Sequence, residues 1–324
     1  MWVGGVGDID YMKSIHTGDW HISIRERNEE WFIKRVVKLF QYIQEEDADE
    51  LLITGDIFDK IPTALEIGLF IGFLQSIECP IYIVAGNHDR TKKPTIRADY
   101  LKNLLQLIEL KNVTWATDKI VETPNYVLVP NYWIRQKKEI PVIKDKILLS
   151  HIRHELTFGN TTRKAEYDLE KLKDYKLVLL SDIHNTFKYS ENIYYSTSPY
   201  RTNRKTITSL ADVDNNFFGY NCIFNNIIKH REIHLPNQYL LKVQEKIGEI
   251  NTNDLIDVEY QINIEDINEF SGENVVISRD NVDIQITENI YEVITEILTR
   301  DFKVKDTKDY IKILVDIVGD LDAN

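Results

Sequence analysis

The sequence predicts an α/β layered domain over residues 12–236 and a small α+β appendage over residues 237–324. The first part alternates short apolar runs with longer segments of helical period, which is the pattern of strands and helices packed in layers. The second part changes to acidic residues with alternating Ile and Val. Residues 1–11 look detached from both patterns, so we expect an upstream extension or an artificial remnant before a natural start at Met12.

Each element of the first part follows from hydrophobic spacing. Trp31, Phe32, Val36 and Leu39 recur at three-to-four spacing and predict a helix, whereas short apolar runs that stop at Gly or polar residues predict strands. In chain order we expect strand 14–17, helix 29–45, strand 51–54, helix 64–77, strand 81–85, helix 98–110, and strands 113–116, 126–129, 147–150, 177–180, 193–195, 217–224 and 227–235. In the appendage we expect strands 255–262, 275–277 and 282–286 and helices 288–299 and 307–317.

The charge is distributed unevenly along the chain. Residues 245–324 hold 7 Lys or Arg and 20 Asp or Glu, which accounts for the whole net charge of −13 and leaves 32 basic and 32 acidic residues before them. The acidic tail is therefore not expected to face a nucleic acid. Cys79 and Cys222 have no metal-ligand spacing, which favours a reducing cytoplasm, and no apolar run approaches the ~20 residues of a membrane helix.

Several predicted strands end in clusters of Asp, Asn and His. In chain order these clusters are Gly18-Asp19-Trp20-His21, Gly55-Asp56-Ile57-Phe58-Asp59, Gly86-Asn87-His88-Asp89, Ser150-His151 and Ser181-Asp182-Ile183-His184. Because ligands bind at the carboxyl ends of strands in α/β sheets, we expect these side chains to meet. Mixed oxygen and nitrogen ligands suit Mn²⁺, Fe²⁺ or Zn²⁺ better than Ca²⁺.

This ordered motif set resembles that of the calcineurin-like metallophosphoesterases. The resemblance covers about residues 18–184 and implies a two-sheet β-sandwich flanked by helices instead of a doubly wound sheet. It also implies two divalent metal ions that share Asp56, one held by Asp19, His21, Asp56 and His184 and the other by Asp56, Asn87, His151 and Asp182. Two such ions clamp a phosphate and activate a water molecule for direct hydrolysis.

The same resemblance assigns the remaining residues of the motifs. His88 would contact the phosphate or protonate the leaving group, and Asp59 and Asp89 would orient the loops. Where the family mostly has His, this chain has Asp182, whose added negative charge favours Mn²⁺ or Mg²⁺ over Zn²⁺ and could also weaken activity. His151 stands at a strand end and is preferred over His154 as the ligand. We interpret His16, His230 and His234 as structural.

Within the family, GDIFD followed by AGNHD most resembles the SbcD-type nuclease subunit of a double-strand-break repair complex, above all small phage versions, which would act in the host cytoplasm. This resemblance implies manganese-dependent exonuclease and endonuclease activity. It further implies a homodimer built through the helices after the second and third motifs, and an SMC-like ATPase partner of the SbcC type.

Basic and aromatic residues in the predicted loops give modest support for DNA, double-stranded ends or single strands, as the substrate. They are Arg90, Lys92, Lys93, Arg97, Arg201, Arg204 and Lys205, which would neutralise phosphates, and Tyr194, Tyr195 and Tyr200, which would stack on unpaired bases. Two alternatives stay open. The chain could be a phosphatase or small-molecule phosphodiesterase with the same ligands, or a catalytically weak scaffold that binds DNA ends for the ATPase.

Overall fold

The computed structural model describes residues 12–24, 28–90, 100–108, 110–158, 161–184, 187–200, 205–207, 218–235, 237–243 and 255–260. Residues 1–11 and the predicted strands and helices beyond residue 260 lie outside this part of the chain. No helix within the described ranges is both long and apolar enough to cross a lipid bilayer.

The first of two six-stranded sheets has its parallel strands in chain order. Its strands are β1 (Lys13–Thr17), β2 (Glu50–Ile53), β3 (Ile81–Val84) and β4 (Val113–Ala116), joined by β14 (Phe218–Phe224) and β15 (Ile227–Ile233). The sheet order is β15-β14-β1-β2-β3-β4. The strands β1 to β4 are parallel, and β14 pairs antiparallel with both β1 and β15.

The second sheet is built in the same way from later segments. Its strands are β5 (Val121–Glu122), β6 (Tyr126–Val129), β7 (Ile147–His151), β10 (Leu177–Ser181), β11 (Phe187–Ser190) and β12 (Ile193–Tyr195). The sheet order is β11-β12-β10-β7-β6-β5, with four parallel central strands and an antiparallel strand at each edge. Between β7 and β10 lie a hairpin, β8 (Leu156–Phe158) and β9 (Thr161–Arg163), and a 3-10 helix, Leu169–Leu172.

The two sheets face each other across an apolar layer. Leu52 and Val84 of the first sheet belong to one buried cluster with Leu128, Leu149 and Leu179 of the second. Since successive strand residues point to opposite faces, the intervening residues of each sheet pack outward against helices. This is the two-sheet sandwich that the resemblance implied, and the prediction of that fold is confirmed.

Helices cover the outer faces of the sandwich. They are α1 (Glu29–Glu45), α2 (Ala64–Ser76) and α3 (Tyr100–Ile108) on the first sheet and the short α4 (Asn131–Arg135) on the second. The helix α2 is apolar on nearly every side, with its residues Leu65–Leu74 buried. It begins with a capping box between Thr63 and Glu66. The carboxylate oxygen of Glu66 that is not used in the capping box, Oε1, accepts a hydrogen bond from the Ile24 amide. This bond ties the loop after β1 to the helix.

A separate three-stranded sheet combines β13 (Lys205–Ile207), β16 (Gln238–Val243) and β17 (Leu255–Tyr260), with all its pairs parallel. The strand β13 precedes the predicted domain boundary at residues 236–237, whereas β16 and β17 follow it. Strand pairing therefore joins residues on both sides of the predicted boundary. The division into two domains stays a prediction.

Candidate metal centre

The seven predicted metal ligands lie at the carboxyl ends of five parallel strands. Asp19 and His21 follow β1, Asp56 follows β2, Asn87 follows β3, His151 ends β7, and Asp182 and His184 follow β10. Three strands come from one sheet and two from the other. The site therefore lies where both sheets of the sandwich end on the same side, and the structure brings all seven predicted ligands together there.

The first group of ligands joins the first and last motifs. Ligand atoms of Asp19, His21 and His184 all lie within 4.8 Å of one another. The Nε2 atoms of His21 and His184 are 3.1 Å apart, and His21 Nε2 is 3.6 Å from Asp56 Oδ2. Two imidazole nitrogens and nearby carboxylate oxygens at this separation can face a common cation.

The second group surrounds His151. Its Nε2 lies 3.4 Å from Asp56 Oδ2 and 3.4 Å from Asp182 Oδ1. One end of the Asn87 amide is 3.0 Å from Asp182 Oδ1 and 3.3 Å from His151 Nε2. That end is the NH₂ when it donates to these acceptors, and it can be the oxygen when a cation lies between them. Asp56 Oδ2 is close to both groups, which is the position that a bridging ligand requires.

The protonation of the cluster fits a site for divalent cations. Asp19 is fully buried, and its Oδ1 has no hydrogen-bond donor among the described residues. Burial raises the pKa of Asp19, although the imidazoles of His184 and His151, each 3.9 Å from Oδ1, oppose this rise. Burial alone would lower the pKa of His151, but the carboxylates of Asp56 and Asp182 raise it well above its ordinary value. Buried carboxylates in this number are stabilised by positive charge, which metal ions provide.

Hydrogen bonds aim the ligands at the shared space. His151 Nδ1 lies 2.9 Å from the Thr54 carbonyl oxygen, which can only accept, so Nδ1 carries the hydrogen and Nε2 is left to bind a metal. The Asp182 amide donates to Asp19 Oδ2 at 2.9 Å, and the His88 amide donates to Asp56 Oδ1 at 2.8 Å. Each bond links motifs that are far apart in the sequence.

Apolar residues between the ligands anchor the loops in the core. Trp20, between Asp19 and His21, is buried against Phe40 and Phe73, and its indole N–H donates to Thr17 Oγ1 at 2.8 Å. Ile57 and Phe58 are likewise fully buried behind Asp56. Because these side chains point into the core, the polar residues beside them point to the centre.

Backbone strain is concentrated at the same residues. Five of the predicted ligands have positive φ, namely Asp19 (52°), His21 (43°), Asp56 (50°), Asp182 (115°) and His184 (62°). Non-glycine residues rarely adopt this region, and such strain clusters at functional sites. Gly86 allows the close approach of two of these loops, since a Cβ there would lie 2.1 Å from Asp56 Oδ1.

His88 lies on the open side of the cluster, with 42% of its side chain exposed. Its Nδ1 is 2.8 Å from the Asp59 carbonyl oxygen, so Nδ1 carries the hydrogen in the neutral ring and Nε2 is the atom that can exchange a proton. Asp59 Oδ1 lies 3.5 Å from His21 Nδ1 and 3.6 Å from His88 Nδ1. Asp59 thus contacts a predicted ligand and the predicted catalytic residue.

Asp89 connects two loops from inside the protein. Its Oδ1 accepts the amides of Ile57 at 2.9 Å and Phe58 at 3.2 Å, and its Oδ2 accepts the Gly86 amide at 2.9 Å. Burial, together with the Asp56 carboxylate, raises the pKa of Asp89 to about 6. Asp89 therefore ties the loop after β2 to the loop after β3, and its loop-orienting role in the site stays a prediction.

Two aromatic residues that were predicted to contact DNA are buried, and most of the predicted basic contacts lie outside the described residues. Tyr195 is fully buried and its hydroxyl donates to the Ile152 carbonyl at 2.9 Å, so the prediction that it contacts DNA is wrong. Tyr200 is also fully buried, with the Arg35 guanidinium 4.1 Å from its ring centroid, and cannot stack on a base. The Arg90 guanidinium lies 3.6 Å from the Tyr132 ring centroid in the loop beside His88. Lys92, Lys93, Arg97, Arg201, Arg204 and the Lys205 side chain lie outside the described residues.

Sequence reasoning missed the buried turn at residues 196–198. Ser198 Oγ donates to the Asp19 carbonyl at 2.8 Å, and Thr197 Oγ1 donates to the His184 carbonyl at 2.9 Å. The sequence pattern indicated a DNA contact for the surrounding stretch, but these hydroxyls instead hold the backbone of two ligands. The sequence contains one signal for this role. Residues 196–198 directly follow strand β12, just as the predicted ligands directly follow the other parallel strands.

Of the three histidines interpreted as structural, His16 is buried in strand β1, whereas His234 is exposed and lies beyond the end of β15. His16 is fully buried beside Thr54 Oγ1 at 2.9 Å, and burial lowers its pKa to about 3. His154 lies outside the ligand cluster, because its ring packs against Phe187 and Tyr189. The structure thus places His151, and not His154, beside Asp56 and Asp182, and its role as a metal ligand stays a prediction.

Comparisons with known proteins agree with this geometry at the level of the family. The search of curated proteins found no significant match. Among solved structures, the protein TT1561 of Thermus thermophilus is 12% identical, with a TM-score of 0.40 over 68% of this chain and 99% of that chain. The nuclease MPE of Pseudomonas putida is 12% identical, with a TM-score of 0.31 over 66% and 86% of the two chains. Neither likeness is strong enough to carry an argument about function. Residues 12–201 match the family model described as calcineurin-like phosphoesterase, and the chain therefore belongs to the calcineurin-like phosphoesterase family.

Proposed function

We propose that this metal-dependent phosphoester hydrolase is a Mn²⁺-dependent DNA nuclease of the SbcD type. The observation that carries the proposal is the convergence of Asp19, His21, Asp56, Asn87, His151, Asp182 and His184 in two groups around Asp56. The choice of DNA rests on the GDIFD and AGNHD motifs, whose resemblance within the family is to SbcD-type nucleases.

Two divalent ions, when bound, would polarise the phosphate, supply an activated water and stabilise the leaving oxygen. The chain's own residues provide the rest. Asp19, Asp56 and His151 are buried, whereas His88, His184 and Asp59 are partly exposed, so a phosphodiester approaches from the side of these three. His88 Nε2 is held there by the bond of Nδ1 to the Asp59 carbonyl, where it can donate a proton to the departing strand.

Asp182 is the reason for proposing Mn²⁺. Its Oδ1 lies 3.4 Å from His151 Nε2 and belongs to the second ligand group. An additional carboxylate oxygen makes this group harder and more negative than one with a second imidazole, which favours Mn²⁺ or Mg²⁺ over Zn²⁺.

The test compares three substrates with one protein. Purified protein with Mn²⁺ is incubated with linear duplex DNA, single-stranded DNA and a chromogenic phosphodiester, and its metal content is measured by elemental analysis. We expect near two ions per chain and cleavage of DNA. If the protein hydrolyses the small ester and leaves the DNA intact, the nuclease proposal is wrong and the protein is a small-molecule phosphodiesterase. If it binds DNA and hydrolyses none of the substrates, it is a scaffold.

A matched pair of variants separates loss of the site from general damage. Asp56→Asn removes the shared carboxylate and is expected to abolish both metal binding and cleavage. Asp174→Asn makes the same chemical change at an exposed residue, whose carboxylate is 67% exposed and 3.9 Å from Lys144 Nζ, and should leave both unchanged. Equal behaviour of the two variants would contradict the assignment of the centre.

We also propose the assembly that the resemblance implies, a homodimer with an SMC-like ATPase of the SbcC type. The apolar residues of α2 are buried within the chain, so a dimer needs other surface on or near this helix. Light scattering of the purified chain, alone and with such an ATPase, measures both associations. If the chain is a monomer and does not bind the ATPase, this part of the proposal is wrong.

A further inference from the structure

An aromatic surface lies beside the metal centre and is formed by His154, Phe187 and Tyr189. The rings of His154 and Phe187 are nearly parallel, at 15°, with their centroids 6.0 Å apart. Tyr189 meets His154 edge-on at 5.0 Å. Phe187 is 38% exposed, although it is a large apolar side chain on an edge strand. We call these three residues the aromatic platform.

The platform is connected to the ligands by short links. His154 comes three residues after His151, and Phe187 comes three residues after His184. The Phe187 ring lies 5.9 Å from the ring of Tyr195, and the Tyr195 hydroxyl donates to the carbonyl of Ile152, the residue next to His151. The platform therefore lies at the same carboxyl edge of the second sheet as His151 and Asp182.

The side chains of the platform are held in place. The Tyr189 hydroxyl donates to Glu170 Oε1 at 2.7 Å, and its ring packs on the apolar cluster under the second sheet. Phe187 pairs with Tyr195 across the antiparallel β11 and β12 strands. A ring fixed by its neighbours loses little entropy when a second flat group stacks on it, so an exposed and anchored aromatic surface suits a planar ligand.

We propose that the aromatic platform stacks on an unpaired base of the DNA strand whose phosphodiester enters the metal centre. This inference rests on the proposed nuclease function and adds the structure of its substrate, since a base in a single strand or at an opened end exposes its face to a side chain. Stacking on aromatic side chains does not read sequence, so the platform would accept all four bases. It takes the role that the sequence had suggested for Tyr195 and Tyr200, which are fully buried.

The test measures binding instead of cleavage. Mn²⁺-loaded protein is titrated, by fluorescence anisotropy, with a labelled single strand whose phosphorothioate linkages resist hydrolysis. A second strand of the same length and linkage has abasic residues in place of nucleosides. We expect Phe187→Ala to weaken binding of the base-bearing strand roughly 5- to 150-fold, the range of one lost stacking contact, and to leave binding of the abasic strand unchanged.

Controls separate stacking from folding. Phe187→Trp keeps a flat ring and should restore binding of the base-bearing strand. Ile227→Ala removes an exposed apolar side chain, 63% exposed, from the edge strand β15 of the other sheet and should change neither titration. The inference is overturned if the wild type binds both strands equally, or if Phe187→Ala binds the base-bearing strand as tightly as the wild type. If the wild type cleaves no DNA but shows the base-dependent binding, the nuclease proposal fails and the platform stands.

Discussion

Replacing Gly86 with Ala tests whether the site depends on the close approach of two loops. A Cβ at Gly86 would lie 2.1 Å from Asp56 Oδ1 and 2.4 Å from Asp56 N, whereas ordinary contacts are about 3.5 Å. Asp56 or the loop at residues 86–88 must therefore move by roughly 1 Å or more. Asp56 is the ligand that both groups share, so this movement affects both metal positions at once.

The size of the effect follows from the displacement. Overpacking of this kind costs about 1–3 kcal/mol of stability, and a catalytic group misplaced by about 1 Å can cost about 100-fold in rate. We expect Gly86→Ala to remain folded, to hold clearly fewer than two ions per chain, and to lose about 100-fold or more in kcat/KM. Elemental analysis, thermal unfolding with and without Mn²⁺, and initial rates on the best substrate measure the three quantities.

The control for this prediction is an equally severe clash far from the ligands. A Cβ at Gly219 would lie 1.9 Å from the Arg231 carbonyl oxygen, between the paired strands β14 and β15. Gly219→Ala should lower stability as Gly86→Ala does but keep the metal content of the wild type. The reasoning is refuted if Gly86→Ala retains two ions and the wild-type rate, or if both variants lose metal to the same extent.

Three further changes have separate readouts. His88→Ala should keep the metal content and lower kcat about 10²- to 10⁴-fold, because the ring lies on the open side of the centre and acts on a proton; loss of metal instead would make it a ligand. Asp182→His should raise the share of Zn²⁺ bound from an equimolar mixture with Mn²⁺, and an unchanged ratio would show that Asp182 does not set metal preference. Tyr126→Phe removes the hydroxyl that donates to the buried Glu50 carboxylate. It should lower the free energy of unfolding in denaturant by about 1–3 kcal/mol and leave kcat/KM unchanged, and an unchanged stability would show that this buried hydrogen bond does not stabilise the fold.

Elements with strong periodicity could be predicted closely from the sequence. The helix over residues 29–45 agrees with α1 to the residue, since its apolar face is complete, and most strands agree within one or two residues. The hydrophobic pattern did not show which sheet each strand joins, because buried parallel strands are apolar on both faces. The sandwich followed only from the motif resemblance. The helix α4 was missed because five residues after Pro130 are too few to show a helical period.

The candidate ligands could be predicted, but the surfaces around them could not. Tyr194 and Tyr195 are adjacent and look equivalent in the sequence, yet a strand points them to opposite faces. The register of β12 with β10 sets Tyr195 beside Leu180 and turns its ring into the core. The turn at residues 196–198 shows the same limit, since hydroxyl side chains are equally suited to a phosphate and to a backbone carbonyl. Only the tertiary structure decides between these partners.

The positive φ angles at five ligands indicate that contacts within the protein hold the loops of the centre in a strained backbone conformation. Each such residue costs on the order of 1–3 kcal/mol and persists only where its surroundings over-determine it. Those surroundings are visible: Trp20 and Phe58 fix the loops in the core, and the Asp19 carbonyl and Oδ2 accept bonds from Ser198 and Asp182. The packing of the two sheets therefore contributes to the arrangement of the ligands, and bound ions would stabilise the negative charge that is buried there.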